Sequence, residues 1–225
     1  MLLYHALISS PLGPILLESD GTGLSGLYFT DQRDLPHVDG LEAAAQVVSD
    51  PSAGVLDGRS LRTLRAIKEV PSGETGQLFP ADPVPAHAQP RWKEAPLRWL
   101  QDTTPANAKT ILEQARQALE EYWDGTRQTF DLPLTPRGTA FQQRIWQALL
   151  EVPCGEVLSY GELALRAGLS AGHGRAAGTA VGSNPISIII PCHRILARNG
   201  TLNGYGGGLE RKLRLLELEG FTIQG

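Results

Sequence analysis

Asn184-Pro185-Ile186-Ser187-Ile188-Ile189-Ile190-Pro191-Cys192-His193-Arg194-Ile195 is the stretch from which the rest of the chain can be read. The β-branched run Ile186–Ile190 alternates little, which predicts a buried strand. Pro191 stops it, because proline has no N–H to give to a ladder. The strand would deliver Cys192 into a bend beside His193 and Arg194. An imidazole next to a thiol can take its proton, and the thiolate is the nucleophilic form. Such a histidine needs an acceptor that holds one tautomer and stabilises its charged form. Buried cysteines are also commonly inert small hydrophobes, so the pair alone leaves both readings open.

On the N-terminal side of this stretch, Thr139 and Gln142 stand in capping-box spacing ahead of Phe141, Ile145, Trp146 and Leu149, which share one helical face. Ser159 and Glu162 repeat the spacing and open a short helix to Ala167, ended by Gly168. A second short helix, Arg175–Gly182, follows after a tight connection. Two short helices joined by a glycine-containing turn fit a helix-turn-helix, as they also fit any compact helical domain. On the C-terminal side, Leu209–Leu218 places Leu209, Leu213 and Leu216 on one face, with Gly220 as its breaker.

Further out, Ala108–Trp123 predicts a helix with Ile111, Leu112, Ala115, Ala118, Leu119 and Tyr122 on one face and Asp124-Gly125 as the stop. Leu2–Ser9, Ile15–Ser19 and Leu24–Phe29 form a β-meander between the turns Pro11–Pro14 and Asp20–Gly23. Between Asp31 and Pro96 the pattern dissolves into Pro, Ala, Gly, Asp and Ser, with one helical spacing at Ser60–Glu69. Pro133–Pro136 is a linker. The expected organisation is an α/β unit over 1–132, interrupted at about 31–96, and a second unit over 133–225.

Two cysteines make no disulfide framework in a chain of 225 residues, and their scarcity fits a reducing compartment. No basic n-region precedes the apolar start and no apolar run spans a bilayer, so the expected setting is cytoplasmic and away from membranes. The net charge of −4 announces no polyanionic partner. From Pro133 onward, however, nine Arg/Lys face six Glu, while the preceding residues hold 11 basic against 18 acidic ones. A mildly basic C-terminal half permits phosphate contact. Neither zinc-finger spacing nor a phosphate-binding glycine loop occurs, so no metal and no cofactor are expected.

The quoted stretch resembles the active-site signature of the O6-alkylguanine-DNA alkyltransferases (methylated-DNA–protein-cysteine methyltransferases). Gly138-Thr139-Ala140-Phe141-Gln142, Trp146–Leu149, Val152-Pro153, Ser159-Tyr160-Gly161, Arg175, Asn203–Gly208 and Glu219-Gly220 stand in the same order as in that family. The likeness is dense from about Ile111 to Phe221 and looser over the first 30 residues. It implies an N-terminal α/β domain with antiparallel strands, ribonuclease H-like, and a C-terminal winged helix-turn-helix.

Residue by residue, the resemblance makes Cys192 the alkyl acceptor, His193 the base acting through a bridging water, and Glu219 the acid that orients it. Tyr160 would help rotate the phosphate and donate a proton toward the departing guanine. Asn184 would brace the turn, with Arg194 a further structural member of the site. Arg175 would fill the base stack, and Ala176, Thr179 and Ala180 would face DNA beside it. Tyr205, Gly206, Ile195 and Cys192 would wall the substrate pocket. The implied partner is double-stranded DNA carrying O6-alkylguanine, met by a monomer that turns over once after flipping the base from the minor-groove side.

Three positions depart from the family pattern. Cys154 stands where many relatives have tyrosine and reads as packing. The helix from Arg175 to Ser183 lacks further basic residues. The 31–96 stretch is longer than usual. Three rival functions remain to be discriminated. A binding-only relative would lack the acceptor cysteine, a redox-sensing winged-helix regulator would footprint a defined operator, and a Cys-His-Glu hydrolase would turn over repeatedly.

Overall fold

The computed structural model describes residues 2–42, 64–68 and 97–224. Its contacts divide the chain into two compact units, one of Met1–Gly54 with Pro83–Arg137 and one of Val55–Asp82 with Gly138–Gly225. The sequence-based boundary lay at 132/133. The contacts change over at Arg137/Gly138, and 64–68 go with the C-terminal unit.

In the N-terminal unit β1 (Tyr4–Ile8), β2 (Ile15–Ser19) and β3 (Leu24–Phe29) form the expected meander, in sheet order β3-β2-β1-β5 with the short β5 (Arg98–Trp99). The hairpin turns work because Gly13 and Gly21 adopt φ of 105° and 86°, which residues with a Cβ rarely tolerate. Helix α1 (Ala106–Trp123) covers the sheet with the stripe Ala108, Ile111, Leu112, Ala115, Ala118, Leu119 and Tyr122, all buried. Fully burying one leucine such as Leu112 contributes about 2 kcal/mol. The buried Glu18 carboxylate is satisfied by Ser25 Oγ at 2.7 Å and the His5 ring at 3.2 Å, and Gln101 holds the other ring nitrogen at 2.7 Å. Burial alone would raise the Glu18 pKa, but these partners hold it below the ordinary value.

The C-terminal unit is mainly helical. Helices α2 (Ala140–Leu150) and α3 (Tyr160–Arg166) each begin with the complete reciprocal capping box foreseen at Thr139/Gln142 and Ser159/Glu162. Gly168 ends α3 with φ of 69°. Helix α4 (Gly174–Gly182) packs on α2 and α3, and Trp146 of α2 donates its indole N–H to the Ala180 carbonyl at 2.8 Å. The start of α4 approaches α3 so closely that a Cβ at Gly174 would lie 3.3 Å from the Gly161 nitrogen. Helix α5 (Leu209–Leu218) follows the paired β6 (Leu158–Ser159) and β7 (Ile195–Leu196), and β8 (Phe221–Gln224) closes the chain. Among the described residues no helix is long and apolar enough to cross a membrane.

Two elements differ from expectation. Ile186–Ile190 is buried but is no strand. It is a compact turn in which Ile190 N–H reaches the Ile186 carbonyl at 3.0 Å and Ile188 takes φ of 72°. Asn184 accounts for the difference: its side chain accepts from Ile186 N–H and donates to the Ile190 carbonyl, meeting backbone groups a sheet would otherwise meet. The helix expected at Ser60–Glu69 lies partly outside the described residues, and its described part, β4 (Arg65–Lys68), is a strand antiparallel to β8. Its partner lies at the far end of the chain, so local periodicity carried no sign of it.

Candidate functional site

The quoted stretch ends in one turn of tight helix, Cys192–Arg194, that follows Pro191. Asn184 fixes the sulfur: its Nδ2 donates to the Ile190 carbonyl at 2.8 Å and to Cys192 Sγ at 3.0 Å, while Oδ1 accepts from Ile186 N–H at 3.0 Å. Because Oδ1 is committed to an N–H, the amide orientation is settled and the sulfur receives a donor. Cys192 is only 5% exposed. Burial pushes its thiol above the ordinary range, opposed by the Asn184 amide, the Lys212 charge and the N–H groups of Cys192 and His193.

The His193 ring is fully buried, and its Nε2 lies 2.9 Å from Glu219 Oε1. Nδ1 is buried with no hydrogen-bond partner among the described residues. With the proton on Nε2 directed to the carboxylate, Nδ1 is the basic lone pair. Burial lowers the His193 pKa, against the attraction of Glu219. Glu219 caps α5 and is clamped by Arg194, which donates from Nε at 2.8 Å and Nη2 at 2.7 Å and anchors its third nitrogen on the Val152 carbonyl at 2.6 Å. Burial would raise the Glu219 carboxyl, yet His193 and Arg194 hold it far below the usual carboxylate range. An acid at a helix C-terminus is disfavoured by the dipole, and these two partners offset that cost.

Tyr205 stands edge-on to His193, ring centroids 6.5 Å apart. Its buried hydroxyl is held well above the ordinary tyrosine value by burial and by the Cys192 charge, opposed by Ser187 and the Arg211 charge. Ile195 is buried beside Cys192, and Gly206 is exposed in the loop beyond. Tyr160, the first residue of α3, has its ring against Gly178 of α4, where a Cβ would sit 3.4 Å from the ring. Burial and the Cys192 charge raise its hydroxyl pKa, so it stays protonated at neutral pH. Arg175, Ala176 and Thr179 lie on the exposed face of α4 and line an open concavity with Gly172 and His173. Ala180, expected on that face, is instead buried with Ala177 and Val181. At 3.6 residues per turn, positions 177, 180 and 181 fall on the side that packs inward.

Sequence reasoning missed Lys212. This lysine is fully buried in α5, and its ammonium donates to the Ile195 carbonyl at 2.5 Å and the Asn203 carbonyl at 2.6 Å. Burial lowers its pKa from 10.5 to about 8, with the Cys192 charge opposing. The signal was present in the spacing: Lys212 shares the face of Leu209, Leu213 and Leu216, where a solvated lysine has no reason to stand.

Fold and site together define a cysteine-centred protein, its thiol held beside a buried His–Glu–Arg set on a helical unit that presents one helix outward. Residues 140–221 match the profile of the 6-O-methylguanine DNA methyltransferase, DNA binding domain. The chain belongs to the 6-O-methylguanine DNA methyltransferase family. A methylated-DNA–protein-cysteine methyltransferase of Haemophilus influenzae is 57% identical over 110 residues, which are 48% of this chain and 61% of that protein. One from Methanosarcina mazei is 47% identical over 111 residues, 49% of this chain and 70% of that protein. The sequence match thus spans about three-fifths of the length of several curated relatives. In structure, the Mycobacterium tuberculosis O6-methylguanine methyltransferase is similar over 97% of this chain and 93% of its own, with a TM-score of 0.60 and 31% identity. A complex of the Mycobacterium tuberculosis protein with DNA is similar at a TM-score of 0.59 and 33% identity, over 95% of this chain and 90% of that one.

Proposed function

We propose that this chain repairs DNA by direct reversal, moving the alkyl group of O6-alkylguanine onto Cys192. The observation that carries the reading is a sulfur oriented by Asn184 beside a histidine whose Nε2 is committed to Glu219 and whose buried Nδ1 has no hydrogen-bond partner among the described residues. His193 Nδ1 takes the thiol proton through water, and Glu219 and Arg194 hold the ring and balance its charge. The thiolate attacks the alkyl carbon as the carbon–O6 bond breaks. The electron pair leaves on guanine, which receives a proton from Tyr160; the phenolate is reprotonated from solvent, to which His193 releases the thiol proton. A thioether does not hydrolyse under cellular conditions, so each molecule acts once.

The target atom lies inside a duplex, so the base must leave the stack. In this reading α3 and α4 are a helix-turn-helix within a winged domain, and the N-terminal unit is ribonuclease H-like. The exposed face of α4 enters the minor groove, where readout is degenerate and suits a protein that acts at any sequence. Arg175 fills the gap left by the base, with Ala176 and Thr179 against the groove, while Tyr205, Gly206 and Ile195 wall the pocket. The working form is a cytoplasmic monomer acting on alkylated duplex DNA.

The test is mass spectrometry of the protein mixed with an oligonucleotide containing O6-methylguanine. One added methyl on the peptide bearing Cys192 is expected, with none in Cys192→Ala, which still binds the oligonucleotide. Recovery of wild-type protein without the methyl overturns the reading, and more than one demethylated oligonucleotide per protein molecule points to hydrolysis instead.

A further inference from the structure

The loop between β7 and α5 carries Asn203 and Tyr205, and little within it sets its place. Its internal ties are few: at its start Ala197 N–H to the Thr201 carbonyl at 3.1 Å, Gly200 N–H to the Ala197 carbonyl at 2.8 Å and the Asn199 side chain on Thr201, and at its end Gly208 N–H to the Tyr205 carbonyl at 3.0 Å. Beyond Leu202 come Gly204, Gly206 and Gly208, and a Cβ at any of them would meet open space. A glycine-rich segment of that kind has wide conformational freedom and takes its position from whatever grips it.

Two things grip it. From α5, Lys212 holds the Asn203 carbonyl and Arg211 donates to the Gly207 carbonyl at 2.8 Å. From the other direction comes β4, a strand out of the long 31–96 stretch. One edge of β4 pairs with β8 from Arg65↔Gln224 to Lys68↔Phe221. Its other edge takes the loop: Ala66 N–H donates to the Gly200 carbonyl at 3.3 Å, and the Leu64 carbonyl accepts from Leu202 N–H at 3.1 Å, bridging Arg65 to Thr201. Leu64 and Ala66 also pack on the cluster of Leu196, Leu202, Leu213, Leu216 and Phe221. The loop is therefore pinned at Leu202, next to Asn203 and three residues before Tyr205.

We infer that β4 is a brace that positions the Tyr205 loop and thereby limits the size of the O6 substituent admitted to Cys192. The inference rests on the proposed alkyl transfer, and it makes Ala66 and Leu64 positioning residues that touch no substrate. Loosening the brace lets the loop withdraw, which helps a bulky substituent more than a small one.

The experiment compares wild type with Ala66→Pro, which deletes the N–H given to Gly200, and with Leu64→Ser, which weakens only the apolar anchor. Single-turnover transfer is timed on oligonucleotides bearing O6-methylguanine or O6-benzylguanine, and hydrogen exchange is followed at the Leu202 amide with α5 as the folding control. The expected result is a benzyl-to-methyl rate ratio about three- to tenfold above wild type, as loss of one backbone hydrogen bond allows. Leu202 should exchange faster while α5 stays protected. If Ala66→Pro does not fold, Leu64→Ser decides by the same two readouts. An unchanged ratio overturns the inference, whether or not Leu202 exchange has quickened. Wild type that accepts neither substrate sinks the functional reading itself, and is seen before any variant is compared.

Discussion

At Glu219 one buried carboxylate accepts from His193 and twice from Arg194, so a single atom change tests the whole set. Glu219→Gln keeps the shape but leaves the Arg194 charge buried without its counter-ion, a loss of about 3 kcal/mol or more. The same substitution removes the group that holds the His193 tautomer, and single-turnover transfer should fall at least about 100-fold. Stability should also change its pH dependence. Glu219 titrates far below its unfolded value of 4.5, so the stability it contributes is complete above that value and is lost as pH falls beneath it. Urea midpoints at pH 6 and pH 3 should therefore fall more for wild type than for Glu219→Gln, and equal falls would show that the carboxylate is not held as described. That these side chains meet was foreseen through the family resemblance and not from the Cys192-His193 pair alone, with Glu219 at a helix end where an acid is unfavourable as the supporting local sign. Lys212 escaped because a lysine between Arg211 and Leu213 looks solvated until its helical face is compared with the leucines around it.

Helix α4 sorts its residues by face, and the sorting makes an element-scale prediction. Arg175 and Thr179 are exposed while Ala180 is buried against α2. Arg175→Ala should weaken DNA binding and slow transfer while stability moves by less than about 0.5 kcal/mol, since the side chain leaves no cavity. Ala180→Asp should do the reverse, unfolding the unit by placing an unpaired charge in its core. If instead Arg175→Ala lowers the melting temperature as much as Ala180→Asp does, α4 presents a different face. Elements whose signals are local were legible: both capping boxes, the α1 stripe, the three strands of the meander and the Gly168 and Gly220 stops. The two that were misread depend on distant or side-chain partners. Ile186–Ile190 has strand composition, but Asn184 supplies the hydrogen bonds that a neighbouring strand would have given. β4 exists because β8 and the 200–202 loop meet it, and nothing in residues 64–68 encodes that pairing.

Across the whole molecule charge is divided unevenly, nine basic residues against six glutamates from Pro133 onward and 11 against 18 before it. In the proposed mode of binding few cations reach phosphate. The exposed face of α4 offers Arg175, and Arg198 lines the cavity beside Tyr160 together with Glu162, whose charge partly cancels it. Each phosphate neutralised releases counter-ions and steepens the salt dependence by about 0.9 in log affinity against log salt, so two to four contacts give a slope of roughly −2 to −4. Most of the binding energy must then come from the groove contacts of small residues on α4 and from the flipped base, neither of which salt screens strongly. In the proposed binding the acidic N-terminal half should work in the same direction, lowering affinity for undamaged DNA and making the lesion a larger part of the total. Titrations of alkylated and unmodified duplexes between 50 and 200 mM salt should show this shallow slope for both, with a lesion preference that changes little across the range. A slope of about −6 or steeper would mean that the chain is held chiefly by phosphate contacts, and the small-residue face of α4 would lose its role as the main source of affinity.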